Sequence, residues 1–507
     1  MDWGLLLSSY GSVLTDINVI LMTFLGAAGG VIIGAIPGLT ATMGVALLVP
    51  FSFGMDLIPS IGLLLGVYCG GMYGGSISAI LLHTPGTPSA AATVLDGWPM
   101  TQKGEAPRAL AVAMFASFCG GMIGALCMTF LSPLIAQAAL AFGPSEMFML
   151  AVFGLSVIIS ISGKSIVKGL IAAFFGLIIC TFGMDKTSGY IRFIPTNAHF
   201  LYEGIPFIPA LIGLFAIAEV FSSLEGIARG EKSSAGAVNV KVDRVLPSFK
   251  DIKLIAKNVI MGGFIGTFIG AIPGAGGDIS AFVSYGVSKS TSKHPEEFGK
   301  GTPEGVAAAE SANNGCSGGA MIPLLSLGIP GDSVTAILIG AFVMNGITPG
   351  PMMYVEKLDI VYAVFAALLL ANLCMLIVGC LGIRGFVKLI TIDKKILLPS
   401  IMIVSLVGAY TINQNIQDVG LAIVFGIIGY LFNKHEIPLS PILLTLILGP
   451  MAESNLRRYV QIADGNAISM FTRPITIIFA VLAIISLIYS VYLNKKANKK
   501  EETPAEA

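Results

Sequence analysis

The sequence predicts an all-α polytopic membrane protein made of two inverted-topology repeats, with Pro-Gly-broken helices or re-entrant helical hairpins. Three observations carry that prediction: the composition, a glycine-proline signature written twice, and the placement of basic residues. Of 507 residues, 55% are hydrophobic and 11% charged, with mean hydropathy +0.86. A soluble domain carries about 25% charged residues to cover its surface. Apolar runs such as Ile205–Val220, Val361–Gly379 and Ile475–Leu493 have the length scale of a bilayer-crossing helix, ~20 residues. A β-barrel would show short alternating strands instead.

The first segment, residues 1–16, lacks a basic n-region and a small-residue cleavage site, so no removable signal peptide is expected. The seven cysteines are scattered through apolar stretches without a CxxC and read as small packing residues. The four histidines are equally dispersed, and zero net charge suggests no nucleic-acid partner.

The first repeat spans residues 17–228 and the second 253–475. Glycines at Gly26, Gly30, Gly34 and Gly38 recur as Gly262, Gly266, Gly270 and Gly274, and both ladders end in GAIPG. Four-residue glycine spacing leaves a smooth helix face where another backbone can approach. Three further matches follow in the same order: Gly74–Ser89 with Gly318–Ser333, Lys168–Ile178 with Val419–Ile428, and Ile205–Phe215 with Ile437–Ile447. Four matches in the same order suggest a duplication.

The connection, 229–252, is polar and sets the orientation. Seven basic residues lie between Arg229 and Lys257, and none in the first 25 residues. The positive-inside rule places the connection in the cytoplasm and residues 1–16 outside. The repeats then enter the membrane from opposite sides, as in many secondary transporters. A last transmembrane helix is expected over 476–494 and a solvated cytoplasmic tail over 495–507.

Four Pro-Gly pairs interrupt apolar segments: Pro37-Gly38, Pro85-Gly86, Pro273-Gly274 and Pro330-Gly331. Proline costs ~3 kcal/mol in a helix interior and glycine ~1. At membrane depth such breaks persist only inside protein or around a water-filled cavity. One Pro-Gly pair equally marks a kink or a loop turn; two repeat-matched pairs point to a shared site. A restarting helix offers unpaired N–H groups to an anion, and a stopping one offers carbonyls to a cation. Hydroxyl or acidic residues follow each break: Thr40 and Thr42, Thr87 and Ser89, Asp278 and Ser280, Asp332 and Ser333.

The candidate solute site therefore comprises Pro37, Gly38, Thr40, Thr84, Pro85, Gly86, Thr87, Pro273, Gly274, Gly276, Asn313, Asn314, Pro330 and Gly331. Asp278, Asn313 and Asp332 are candidates for a sodium ion, and no other cofactor is expected. Glu310, Asn313 and Asn314 sit in a small-residue stretch, Gly305–Ala320. An ionised group at the bilayer centre costs ~2.5–3.5 kcal/mol on insertion scales, so such residues are functional candidates; an interfacial loop is the alternative. Asp56, Asp96 and Glu105 read as residues of solvated turns.

Enzymatic motifs fail. Ser160–Ser165 ends like a phosphate-binding loop, but Ile158 stands where its leading glycine belongs. Gly276–Ser280 has no partner aspartate for an intramembrane protease, and Gly74–Ser78 ends in Ser78 where a nucleophile elbow needs glycine. Without an ATPase motif, transport would draw on an ion gradient or the membrane voltage.

Three stretches, Gly34–Met100, Gly270–Lys289 and Gly301–Phe342, resemble the TctA family, the large membrane subunit (permease) of bacterial tripartite tricarboxylate transporters, and the likeness covers nearly the whole chain. The resemblance implies a multi-pass protein of the bacterial inner membrane. It also implies two partners, a periplasmic solute-binding protein and a small four-helix membrane subunit. The expected function is import of tricarboxylates or related carboxylates, with sodium or protons as coupling ion. An autonomous secondary carrier or a passive channel for small organic anions is the alternative.

Overall fold

The computed structural model describes residues 2–161, 166–185, 189–195, 197–229, 245–389 and 394–501. Most of the connection and part of the Ser160–Ser165 stretch lie outside the described residues. The first half contains α1 (Trp3–Thr15), α2 (Ile17–Ala35), α3 (Ala41–Ser52), α4 (Leu57–Leu82), α5 (Ala91–Gln102), α6 (Ala106–Ala139), α7 (Pro144–Ile161) and α8 (Ile166–Cys180). A two-stranded hairpin, β1 (Gly183–Met184) with β2 (Ile191–Arg192), follows. Next, α9 (Phe207–Leu211), a π-helical stretch Ile212–Ile217 and α10 (Ala218–Ala228) form one continuous rod.

The second half contains α11 (Phe249–Gly270), α12 (Gly276–Thr291), α13 (Pro303–Leu327), α14 (Ser333–Met344), the single turn α15 (Met353–Glu356) and α16 (Leu358–Leu389). It continues with α17 (Lys394–Asn413), α18 (Ile416–Lys434), α19 (Ser440–Ile462) and α20 (Pro474–Glu501). Among the described residues, eight helices are long and apolar enough to cross a membrane. Bulky apolar side chains such as Leu134, Phe174, Phe268, Ile403 and Ile478 face outward, as lipid-facing residues do. Helix starts follow local chemistry: Asp2, Asp16 and Thr40 cap α1, α2 and α3, and capping boxes open α11 (Ser248, Asp251) and α14 (Asp332, Thr335).

The glycine ladders set the closest packing. An added Cβ at Gly26, Gly30 or Gly34 of α2 would lie within 2.5 Å of the carbonyl oxygens of Leu63, Val67 and Gly71 on α4. In the second half, Gly266 and Gly270 of α11 meet the carbonyls of Ala312 and Cys316 on α13, at 2.1 and 2.6 Å by the same measure. The sequence order in each set makes each pair parallel. Only glycine lets the backbones come this near, and dispersion grows with that proximity.

The halves interlock. α6 of the first lies along α13 of the second, and α16 of the second lies along α2 and α4 of the first. Outside them α8 packs on α19, and α18 packs on the rod of α9 and α10. α4 and α13 are thereby enclosed, and α13 is buried along almost its whole length. Shielding from lipid lets α13 carry Glu310, Asn313 and Asn314 within a continuous helix, so the interfacial-loop alternative does not describe this stretch.

Contacts also sort the ends. One end holds Arg108 with Asp251, Lys168 with Glu436, and Arg229 and Lys434 with Glu225. The other holds Arg192 with Glu453, Arg457 with Asp185, and Arg473 with Glu146. The first end also carries the start of α11, and the second carries the start of α1, since Asp2 N–H donates to Tyr362 at the start of α16.

Asp96 departs from its sequence reading. It lies within α5, fully buried, and accepts from the backbone N–H groups of Gly299, Gly301 and Thr302 and from the Tyr285 hydroxyl. Its acidity serves to collect those orphaned donors ahead of α13, a role no local pattern announces. Asp56 is exposed, and Glu105 is half-exposed beside Arg108, as expected of turns.

Candidate functional site

The residues that follow all four Pro-Gly pairs line one cavity of about 520 Å³. After Pro37 the chain turns through Gly38, at φ +94°, a conformation that favours glycine. Thr40 then caps α3, accepting from Met43 N–H at 3.1 Å. Gly274, at φ +82°, makes the equivalent turn in the second half, and its N–H donates to the Gly331 carbonyl at 2.7 Å. One break of each half is thus pinned against a neighbour: Gly274 on Gly331, and Gly86 by its N–H to the Gly75 carbonyl. Gly86 and Gly331 also sit in matched positions, against the carbonyls of Gly34 and Gly270.

Of the sequence-predicted residues, Gly38, Thr40, Thr87, Gly274, Gly276, Asp278 and Asp332 line the cavity, together with Thr42, Ser89 and Ser333. Pro37, Thr84, Pro85, Gly86, Pro273, Asn314, Pro330 and Gly331 are not among its lining residues; they shape the turns or stand behind them. Asn313 is also outside the lining. Its Nδ2 donates to the Met72 carbonyl at 3.2 Å, while its Oδ1 has no partner and backs onto Gly277, a lining residue.

The first turns of α3, α12 and α14 face the cavity, so three partially positive helix ends meet there. The side chains oppose them. Asp278 is open to the cavity. Asp332 is nearly buried: Oδ1 accepts from Thr335 N–H and hydroxyl, and Oδ2 accepts from Tyr68. Glu219 of α10 is the third carboxylate. It accepts from Ser223 at 3.1 Å and stands 3.2 Å from where a Cβ on Gly38 would be. No lysine, arginine or histidine lines the cavity among the described residues.

Glu219, Phe215, Asn433 and Ser440 belong to the lining without having been anticipated. The signal for Glu219 was available: it is the lone acid in Ile205–Val220. The π-helical stretch before it is a second signal, visible only in the structure.

As to metals, no cluster of three or more His, Cys, Asp or Glu side chains occurs among the described residues. Asp278, Asp332 and Asn313 Oδ1 supply hard oxygen donors, which suit an alkali or alkaline-earth cation over a thiolate- or imidazole-bound metal.

The fold and cavity define a multi-pass helical membrane protein whose broken helices meet at one cavity. The chain belongs to the Tripartite tricarboxylate transporter TctA family, whose description matches residues 20–444. It is 37% identical over 466 residues to the "Uncharacterized 52.8 kDa protein in TAR-I ttuC' 3'region" of Agrobacterium vitis, covering 92% of this chain and 91% of that protein. It is 39% identical over 213 residues to the "Uncharacterized protein in TAR-II ttuC' 3'region" of the same organism, covering 42% of this chain and 88% of that one. No solved structure matches.

Proposed function

We propose that this chain is the permease subunit of a binding-protein-dependent secondary transporter of the bacterial inner membrane, importing tricarboxylates or related carboxylates with a co-transported cation. The observation that carries this reading is that the residues following four Pro-Gly breaks line one cavity. The two halves act as inverted repeats, 17–228 and 253–475, and the cavity is the site reached alternately from each side. The helix-end N–H groups with Thr40, Thr42, Thr87 and Ser89 receive the carboxylate. Asp278 and Asp332, backed by Asn313, receive the cation, sodium being the first candidate. An anion entering among three carboxylates is repelled until cations neutralise them, so coupling follows from charge. The chain acts as a transporter subunit and not as an enzyme.

A helix end contributes typically ~0.3–1 kcal/mol to anion binding, and tenfold in affinity requires about 1.4 kcal/mol. With no basic residue among the described residues of its wall, the cavity binds a lone carboxylate weakly. That suits a machine in which a periplasmic solute-binding protein captures the solute and a small four-helix membrane subunit completes the membrane complex. The test is uptake by vesicles holding both membrane subunits, across a titration of loaded binding protein and with imposed sodium gradients. Gradient-driven uptake that requires the binding protein is expected. Equal uptake at micromolar solute without it indicates an autonomous carrier, and gradient-indifferent, non-saturating flux indicates a channel. Asp278→Asn should weaken the sodium dependence while membrane insertion stays intact.

A further inference from the structure

Glu310 is a carboxylate that the cavity does not use. It lies within α13 and is fully buried. Its two oxygens each meet one hydroxyl: Thr93 of α5 donates to Oε1 at 2.5 Å and Ser117 of α6 to Oε2 at 2.8 Å. Among the described residues, no basic side chain meets it: its partners are the two hydroxyls. From α4 comes Tyr73, whose buried hydroxyl has no partner, with Cys380 of α16 beyond it. On α5 and α12, Asp96 and Tyr285 bond to each other, and Asp278 of α12 lines the cavity. Three basic residues of these elements, among those described, are held elsewhere. Arg108 of α6 pairs with Asp251 and Glu105, Lys257 of α11 reaches the Thr291 carbonyl, and Lys289 of α12 is exposed.

A hydroxyl donates to a carboxylate and accepts from a carboxylic acid. The Thr93–Glu310–Ser117 set therefore serves both protonation states by rotation of one hydroxyl from donor to acceptor, whereas a metal ion needs more oxygens than are present. Polar atoms lie between it and the cavity wall. Thr87 and Ser89, on the cavity wall, share a hydrogen bond at 3.1 Å, and Ser89 precedes Thr93 by one helical turn. One turn from Glu310 toward the cavity, Asn313 Oδ1 and both amide atoms of Asn314 are buried without a protein partner. Buried polar atoms of this kind are ordinarily satisfied by bound water, which relays protons.

We propose that Glu310 is a proton-binding site of the transport cycle. The carboxylate takes a proton from cavity water along the Ser89–Thr93 side, becomes the neutral acid while the solute is carried, and releases the proton at the inner end. One proton then crosses with each solute, in addition to any cation held at Asp278 and Asp332. This rests on the reading of the chain as a coupled transporter.

Two measurements test it, one without transport. Infrared spectra of the purified complex titrated with pH should show a protonated-carboxyl C=O band that disappears on deprotonation and is missing in Glu310→Gln. A band that never titrates, or that survives in the variant, overturns the proposal. In vesicles, a panel of di- and tricarboxylates, citrate included, is offered with the loaded binding protein under an imposed pH gradient. Glu310→Gln should lose at least tenfold of pH-driven accumulation while carboxylate counterflow persists. Accumulation with the wild-type response to the gradient overturns it. If Glu310→Gln does not insert, Thr93→Val and Ser117→Ala leave the carboxyl in place and should each shift the pH midpoint of uptake; unshifted midpoints count against it. A wild-type complex inactive toward every carboxylate sinks the transport reading, whereas an active wild type with an indifferent variant sinks only the proton site.

Discussion

The Tyr68 hydroxyl, buried in the middle of α4, donates to the carboxylate of Asp332, the residue that caps α14, at 2.5 Å. One hydrogen bond therefore ties the core helix of the first half to a broken helix of the second, at the cavity wall. A double-mutant cycle with Tyr68→Phe and Asp332→Asn should give a coupling energy between about 0.6 kcal/mol, the mean for hydrogen bonds between membrane helices, and about 3 kcal/mol for a bond to a charged group. Thermal unfolding of the four purified proteins measures it. Additive effects would mean that the tie contributes nothing.

The parallel glycine seams predict matched sensitivities. Gly30→Ala and Gly266→Ala place a Cβ 2.5 and 2.1 Å from backbone carbonyl oxygens on α4 and α13. Backbone cannot rotate aside as a side chain does, so each should destabilise the fold by about 1–3 kcal/mol. Gly29→Ala, with nothing within 4 Å, is the control and should be neutral or slightly stabilising. Melting temperatures decide the matter, and a control as damaging as the seam variants would refute the packing argument.

Asp96→Ala should be among the most destabilising single changes in the chain. It strips the acceptor from three backbone N–H groups and one phenol. Leaving two such buried donors unsatisfied already costs roughly 2–6 kcal/mol at about 1–3 each. Loss of folded protein after detergent extraction is the expected readout, and wild-type stability would return Asp96 to a solvated turn.

The proposed orientation is checked by labelling. In a cysteine-free background, Ser8→Cys and Lys250→Cys place thiols at exposed positions at opposite ends of the bundle. An impermeant thiol reagent added to intact cells should label the first and spare the second. Equal labelling would contradict inverted insertion.

Composition and spacing alone determined the helical membrane class, because apolar length and scarcity of charge depend on no partner. The glycine ladders likewise foretold close helix contact, since a missing Cβ is a property of the residue itself. The Pro-Gly pairs foretold where helices stop, because the lost N–H and the free φ act within a few residues. Which carbonyls the ladders would meet was decided by tertiary structure, which sets Gly30 on Val67 and Gly266 on Ala312. Proximity likewise separated residues that look alike in sequence. Asp278 opens to the cavity, Asp96 gathers backbone donors, and Glu310 is held between two hydroxyls. Glu219 joined the site because the rod of α9 and α10 happens to pass Gly38. The physical reason is common to all four acids. A carboxylate's role is set by the donors and water within a few ångströms, and those neighbours come from helices far away in the chain.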